Sequence, residues 1–369
     1  MWDVIVVGGG PAGAIAALAA RRAAPAARVL LLDKARFPRD KACGDGIAPH
    51  ALDELAALDV PDAAHGYAPI RTLRLRTPAG AQVTASPRRD NHVIPRRVFD
   101  ARLVGPRCRR VWRSGRASAR VAPDGLGRGA ERRRAARASG GGRRRRELHG
   151  PPSPRRAGNP PGDLALAVCG YAPAPPGPPE QAIAFVAESW PVYVCSFAIG
   201  DGTANVAYGL LRRALHGGRG AAARPPGRAA ARAAGGPRNA ARPHLPFSSA
   251  RPSPGHGRVL LAGDAASLIN PLTGEGIYYA VASGRRAGEA AATDPARYGL
   301  AQVRALPGAH LRQTTVLSRA IRHPPLVEAA VRAAARHGGV FYDLVEIGLG
   351  AGRLRPSSAT RVAAAYVRG

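Results

Sequence analysis

The stretch Asp3-Val4-Ile5-Val6-Val7-Gly8-Gly9-Gly10-Pro11-Ala12-Gly13, followed by Val29-Leu30-Leu31-Leu32-Asp33, decides the fold class. Val4 to Val7 has the length and β-branched content of a buried parallel strand. Gly8, Gly10 and Gly13 then match G-x-G-x-x-G at a strand-to-helix turn. In that motif the first glycine permits the tight turn and the second lets backbone N–H groups approach a pyrophosphate. The third lets the helix pack closely on the strand. The Ala-rich run from about Ala12 to Arg22 predicts that helix, with the positive end of its dipole toward the phosphates. Asp33 lies 20 residues beyond Gly13, at the end of the second strand, where a carboxylate can accept from ribose hydroxyls. Lys34 beside it is a further candidate contact. Strand, helix, strand and acid in this order predict a dinucleotide site without separating FAD from NAD. The first residues do not read as a secretory signal, because Asp3 intrudes and Gly8 to Pro11 break the apolar run.

A second signature lies far downstream, at Val259-Leu260-Leu261-Ala262-Gly263-Asp264-Ala265-Ala266, followed by Asn270-Pro271-Leu272-Thr273-Gly274-Glu275-Gly276-Ile277. Val259 to Ala262 is predicted as another buried strand ending in Gly263-Asp264. Asp264 is placed to hydrogen-bond the ribityl chain of a flavin. The loop Pro271 to Gly276 leads into a helix starting near Ile277, whose positive end would face the pyrimidine side of the isoalloxazine. Partial positive charge there stabilises a reduced, anionic flavin. Two grips so far apart in sequence suit a long ligand, and FAD is one.

Together these signatures resemble those of the geranylgeranyl reductase family, flavoproteins of the para-hydroxybenzoate-hydroxylase-like fold. Further segments match in the family's order. Phe37-Pro38-Arg39-Asp40-Lys41-Ala42-Cys43-Gly44-Asp45-Gly46 resembles its Cys-Gly loop beside the flavin. Pro95-Arg96-Arg97-Val98-Phe99-Asp100 resembles a segment whose first arginine, here Arg96, approaches the cofactor. His244-Leu245-Pro246 precedes the distal strand as in the family. The family's Tyr-x-Trp-x-Phe-Pro substrate strand is matched by Tyr193-Val194-Cys195-Ser196-Phe197-Ala198, with Cys195 in place of Trp and Ala198 in place of Pro. Tyr193, Cys195 and Phe197 alternate onto one strand face and are the candidate substrate wall.

The resemblance implies an α/β fold. It comprises a Rossmann-like FAD-binding domain from discontinuous segments (1–103 and 243–290), an inserted α+β substrate domain (164–242) and a C-terminal helical region (291–369). It also implies FAD as cofactor, with NAD(P)H or another reductant as electron donor. The implied contacts are Gly8, Gly10, Pro11, Ala12, Gly13, Asp33, Lys34, Cys43, Gly44, Asp45, Gly46, Arg96, Gly263, Asp264, Pro271, Gly274, Gly276 and Ile277. The implied reaction reduces an isolated C=C bond of an isoprenoid chain by hydride from flavin N5 and a proton. An unactivated alkene accepts hydride poorly, so a placed acid and a dry cavity matter. Cys43 is the candidate proton donor, since a thiol in apolar surroundings stays protonated; packing as a small hydrophobe is its other reading. A flavin monooxygenase on the same scaffold is the alternative enzyme, and a frame-damaged inactive derivative the non-enzyme alternative.

Formal net charge is +31, which alone would suggest a nucleic-acid or anionic-membrane binder. Its distribution argues against nucleic acid. Residues 104–160 and 212–242 carry 22 of those charges, as arginines with few acids. Both are Arg-, Ala-, Gly- and Pro-rich without apolar period, so they are expected to be irregular, with 104–163 aberrant for the family. Natural basic insertions, divergent folded sequence and out-of-frame translation all fit; the abrupt return of pattern at Leu164 and near His244 favours the last. Cys43, Cys108, Cys169 and Cys195 form no C-x-x-C pair and no metal spacing, which fits a reducing cytoplasm and no metal. No apolar run is long enough to span a bilayer, and a polyprenyl substrate would call for peripheral contact at the inner face of a membrane.

Overall fold

The computed structural model describes residues 2–105, 112–114, 164–187, 190–211, 244–249, 255–256, 258–295 and 308–369. The Arg-rich stretches expected to be irregular lie almost entirely outside them.

Strands β1 (Val4–Val7) and β2 (Val29–Asp33) pair in parallel, Val4 opposite Val29 and Val7 opposite Leu32. Strand β7 (Trp112–Ser114) joins the other edge of β2, also in parallel. The crossover between β1 and β2 is α1 (Pro11–Ala23). Proline at its first turn donates no N–H where none is needed, and Arg21 and Arg22 complement the dipole in its last turn.

The remaining short elements before the large sheet are β3 (Gly46–Ile47), α2 (Pro49–Ala56), β6 (His92–Val93) and α3 (Arg96–Leu103). β3 pairs with β6, which holds the Cys43–Gly46 loop against the start of α3.

The most extensive contact between described elements is that of α1 with α4 (Ile277–Thr293). Sequence explains why they can approach so closely. A methyl group at Gly284 or Gly288 would overlap the carbonyl oxygen of Ala12 or Ala16. Opposite these glycines α1 presents only alanines along much of its face, with Ala14, Ala17, Ala19 and Ala20 almost fully buried. Backbone therefore lies on backbone, and the two cradle signatures are drawn together.

A seven-stranded sheet, order β12-β8-β11-β10-β9-β4-β5, forms the second layer. Its strands are β4 (Leu73–Arg76), β5 (Gln82–Ala85), β8 (Leu164–Pro173), β9 (Gln181–Val186), β10 (Val192–Ala198), β11 (Thr203–Leu211) and β12 (His244–Pro246). All neighbours are antiparallel except β4 and β9. Two of these strands, β4 and β5, come from within the stretch that the sequence assigns to the cofactor domain.

Four C-terminal helices follow: α5 (Gly308–Ala320), whose Leu311 joins the core around α1 and α4, and α6 (Pro324–Arg336), α7 (Gly338–Leu349) and α8 (Pro356–Val367), which cover one end of this sheet. Leu73 and Val83 of the sheet share a core with Val331, Phe341, Val345 and Val362. Each such fully buried side chain contributes about 1.5–3 kcal/mol through removal from water. The α/β class, the mixed layers and the helical C-terminus agree with the sequence. One local expectation does not hold. In place of a buried strand over 259–262, only β14 (Val259–Leu260) is extended, half-buried and paired with β13 (Gly255–His256). Gly255, at a φ of 107°, lets the chain fold back on itself there, so β14 satisfies its backbone locally.

Candidate cofactor and substrate site

Both signatures open onto one cavity of about 770 Å³. Of the sequence-predicted residues it is lined by Gly8, Gly10 to Gly13, Cys43 to Gly46, Arg96, Asp264, Pro271, Gly274, Gly276 and Ile277, together with Tyr193, Cys195 and Phe197. Asp33, Lys34 and Gly263 do not line it.

The place of Asp33 has a physical reason. Its Oδ2 accepts the Gly9 N–H at 2.6 Å and its Oδ1 accepts the Ala35 N–H at 2.7 Å. The carboxylate thus braces the glycine turn from behind. Gly8, at a φ of 104°, occupies the left-handed region that the turn requires. Gly13 is required for a different reason: any Cβ there would overlap the Gly8 carbonyl.

At the distal end Gly263 donates its N–H to Ser283 Oγ of α4 at 2.9 Å, which explains why it packs inward and Asp264 outward. Asp264 pairs with Lys41 at 3.1 Å, so the rim of one cradle is tied to the loop of the other. The Pro271–Gly276 loop is pinned to the end of α7 by buried Asn270, whose Nδ2 donates to the Ile347 carbonyl at 3.0 Å. Tyr193 fixes the same loop by donating to the Thr273 carbonyl at 2.8 Å.

Glu275 precedes α4, and its Oε1 accepts the Tyr278 N–H at 2.8 Å. Burial pushes its carboxyl up to about 7, against the pull of the helix-start N–H groups, His50 and Arg96. A carboxyl whose folded value exceeds its free value of 4.5 stabilises the fold fully below that value, and the benefit is lost as pH rises through about 7. Glu275→Gln keeps an oxygen for Tyr278. In urea melts it should match the wild type in acid and gain about 1–3 kcal/mol on it by pH 8.

The Cys43–Gly46 loop brings buried ionisable groups to the cavity wall. The Cys43 thiol is pushed up by burial, with Arg96 opposing. Asp45 is fully buried and sits at a φ of 59°, in the left-handed region. Its Oδ1 accepts the Arg96 N–H at 3.2 Å, and its Oδ2 accepts Tyr171 Oη at 2.6 Å and Asn205 Nδ2 at 2.7 Å. Burial raises its carboxyl to about 6, while those three donors hold it back. The Arg96 guanidinium lines the cavity beside the Cys43 thiol and is held by Asp100 at 2.7 and 2.9 Å. Arg39, overlooked in the sequence, reaches the same carboxylate at 3.1 Å.

β10 crosses between the two cradles. The Phe197 ring lies against Gly44 and Gly46, Tyr193 bonds the distal loop, and between them Cys195 is buried, its thiol pushed up to about 12 by burial. Phe185, the cross-strand partner of Tyr193, adds an aromatic that sequence reasoning missed. Beyond β10 the cavity continues between the sheet and the C-terminal helices, along Leu317, Ile321, Leu326, Val331, Leu344 and Leu349. Only the helical periodicity of Leu326 to Ala334 signalled these, and it could not show that they face a cavity. The cavity reaches the surface again at Arg319, Arg322, Ala359 and Ala363.

No family model matches the chain. Over 328 residues it is 30% identical to a menaquinone reductase of Mycolicibacterium smegmatis, covering 78% of this chain and 75% of the relative. The chain belongs to the geranylgeranyl reductase family of FAD-dependent oxidoreductases. A second member of that family is similar over a shorter span. A digeranylgeranylglycerophospholipid reductase of Methanopyrus kandleri is 39% identical over 104 residues, 28% of this chain and 26% of the relative. Among solved structures, a geranylgeranyl bacteriochlorophyll reductase-like protein of Thermoplasma acidophilum superposes with a TM-score of 0.60 at 18% identity, covering 91% of this chain and 92% of that one. HpxO of Klebsiella pneumoniae complexed with FAD and uric acid gives 0.62 at 16% identity, over 95% and 97%. At such identities these two likenesses speak for the fold the family shares.

Proposed function

We propose that the chain holds FAD between the two cradles and reduces isolated C=C bonds of an isoprenoid chain lying in the apolar continuation of the cavity. The observation that carries this reading is the continuity of one cavity from the glycine turn, past the Tyr193–Phe197 wall, to the C-terminal helices. The residues present suit such a ligand. Gly8, Gly10 and Gly13 leave backbone free to approach a pyrophosphate. Asn91, only 2% exposed and lining the cavity, has neither amide atom bonded, so it has donor and acceptor capacity to offer a ligand.

Bound and reduced, the flavin supplies the hydride; NAD(P)H or another donor must reduce it. Everything else falls to the chain. The glycine cradle and Asp264 would hold the cofactor together with the Pro271–Gly276 loop and the start of α4, and Phe197 and Tyr193 would position the alkene. The apolar walls exclude water. Cys43 holds the proton for the second alkene carbon, its thiol kept neutral by burial. The test is anaerobic: purified protein carrying flavin absorbance, chemically reduced, is mixed with menaquinone or a geranylgeranyl lipid. A product heavier by two hydrogens supports the reading, whereas turnover that strictly requires O₂ would move the chain to the monooxygenases.

The same reading places the protein against a membrane when it loads its substrate. No helix among the described residues is long and apolar enough to cross one. The second mouth of the cavity is nevertheless suited to an anionic lipid surface. Residues 308–327 and 347–369 contain no acid, Arg319 and Arg322 line that mouth, and Val316, on the same helix as Arg319, is 61% exposed. Reversing Arg319 and Arg322 to glutamate should weaken sedimentation with phosphatidylserine vesicles by about 10–100-fold at low salt, at about 1 kcal/mol per basic residue near the surface.

A further inference from the structure

Each alkene reduced consumes one proton inside a cavity whose walls are mostly apolar, so the proton needs a route of its own. Alternate residues of β8 share one face, and Ala165, Ala167 and Cys169 line the main cavity. Tyr171 continues the same row but lies past the Cys43–Gly46 loop, where it lines a second cavity of about 1570 Å³ with Asp40, Arg97, Asp201 and Thr203. Tyr171 is 37% exposed and Asp45, which lines the main cavity, is 0% exposed. One hydrogen bond of 2.6 Å joins them.

We propose that Tyr171 and Asp45 form the relay that carries protons from the outer cavity to the Cys43 thiol. This rests on the reaction proposed above. The balance is simple. With the hydride supplied to one alkene carbon as above, Cys43 would give its proton to the other, and the resulting thiolate would be reprotonated by Asp45. The Asp45 carboxylate then takes a proton through Tyr171 Oη, which recovers one from water in the outer cavity. No electron passes through these residues.

The outer link is a direct hydrogen bond, and the inner one is a close approach: the buried Cys43 thiol meets the Asp45 backbone N–H and feels the Asp45 carboxylate. Asn205, which faces Tyr171 across the β8–β11 pair, donates from one amide to both the Asp45 carboxylate and the Cys43 carbonyl, at 2.7 and 2.8 Å. The loop is thereby locked through the Cys43 carbonyl and the Asp45 carboxylate onto one side chain of that strand pair. All donors to Asp45 hydrogen-bond its ionised form, yet its burial brings the acid into the range where it both gains and loses a proton near neutrality. The charged and titratable groups around it are Arg96 from α3, Cys43 from its own loop, Tyr171 and Cys169 from β8, and Asp40 beyond Tyr171.

The decisive comparison is Tyr171→Phe against wild type, in one turnover and in many. With photoreduced FAD-protein and a geranylgeranyl lipid or menaquinone, the first turnover uses the proton already stored and should stay within about twofold of wild type. Steady-state turnover with excess reductant should fall about tenfold or more, with a larger solvent deuterium effect. Loss of both rates in parallel would make Tyr171 merely structural and overturn the relay, as would unchanged steady-state turnover. An infrared titration supplies a readout without turnover. A protonated-carboxyl band should vanish as pH rises through about 6, be absent in Asp45→Asn, and titrate higher in Tyr171→Phe, where a donor to the carboxylate is gone. If wild type reduces neither lipid, the proposed reaction falls and the titration alone judges the relay, which a missing or unshifted band overturns.

Discussion

Gly13→Val is expected to yield a colourless protein. A Cβ at this position would overlap the Gly8 carbonyl oxygen and crowd Val6 Cγ1 at 3.3 Å. The obstacle is backbone, which no rotamer change can move aside. Relief requires α1 to lift from β1, and α1 is clamped on its other side by α4. Overpacking of this kind costs about 1–3 kcal/mol even where side chains can adjust, so the cost here lies at or above the top of that range. Displacing the turn also removes the N–H groups that would meet a pyrophosphate, and FAD affinity should fall at least about 100-fold. Gly10→Ala separates the two effects. There the nearest atom to a new Cβ is Arg39 Nη2 at 3.5 Å, an ordinary contact. Its melting temperature without flavin should therefore stay near wild type while flavin binding, read by fluorescence titration, weakens.

Arg96→Met is the other large effect expected. Asp100 is fully buried, and Arg96 gives it two charge-assisted hydrogen bonds from one turn away on α3. Removing one partner of a buried pair leaves a charge in low dielectric and typically costs about 3–5 kcal/mol. Arg39, still at 3.1 Å, offsets part of this, so a loss near the lower end is expected in urea unfolding. The paired variant Arg96→Met with Asp100→Leu should recover most of the loss, because no buried charge then remains. A single variant within 1 kcal/mol of wild type, on the order of an exposed ion pair, would show that Asp100 takes up a proton or reaches water when its partner goes.

How much of this was legible in the sequence depended on whether the cause was local. The glycines at 8, 10 and 13 announce themselves because a turn dictates where a side chain is forbidden, and such rules act over a few residues. The helix from Ile277 and the strand carrying Tyr193 and Phe197 were legible for the same reason. Gly284 and Gly288 carried no such mark: in sequence they are two weak points in a helix, and only the approach of α1 gives them meaning. Asp33 showed its position at a strand end but not its partners, which proved to be the backbone N–H of Gly9 in the turn and that of Ala35. β4 and β5 looked like parts of the cofactor domain because nothing in their alternation says which sheet they will join. β9, the parallel partner of β4, lies about a hundred residues away. Likewise Tyr171 and Asn205 were ordinary strand residues until β8 and β11 came together under Asp45.

The clamp between α1 and α4 also sets an order of events during synthesis. Ala12 and Gly284 are roughly 270 residues apart, yet their backbones touch. Until the ribosome has released the second helix, the first can bury only its face toward β1 and β2, and the glycine turn has no opposite wall. Contacts of such separation form late and leave their halves exposed meanwhile. On the proposed reading FAD capture is then a closing step of biogenesis, and a nascent chain stalled before α4 should emerge without flavin, holding an unfinished half of the proposed site.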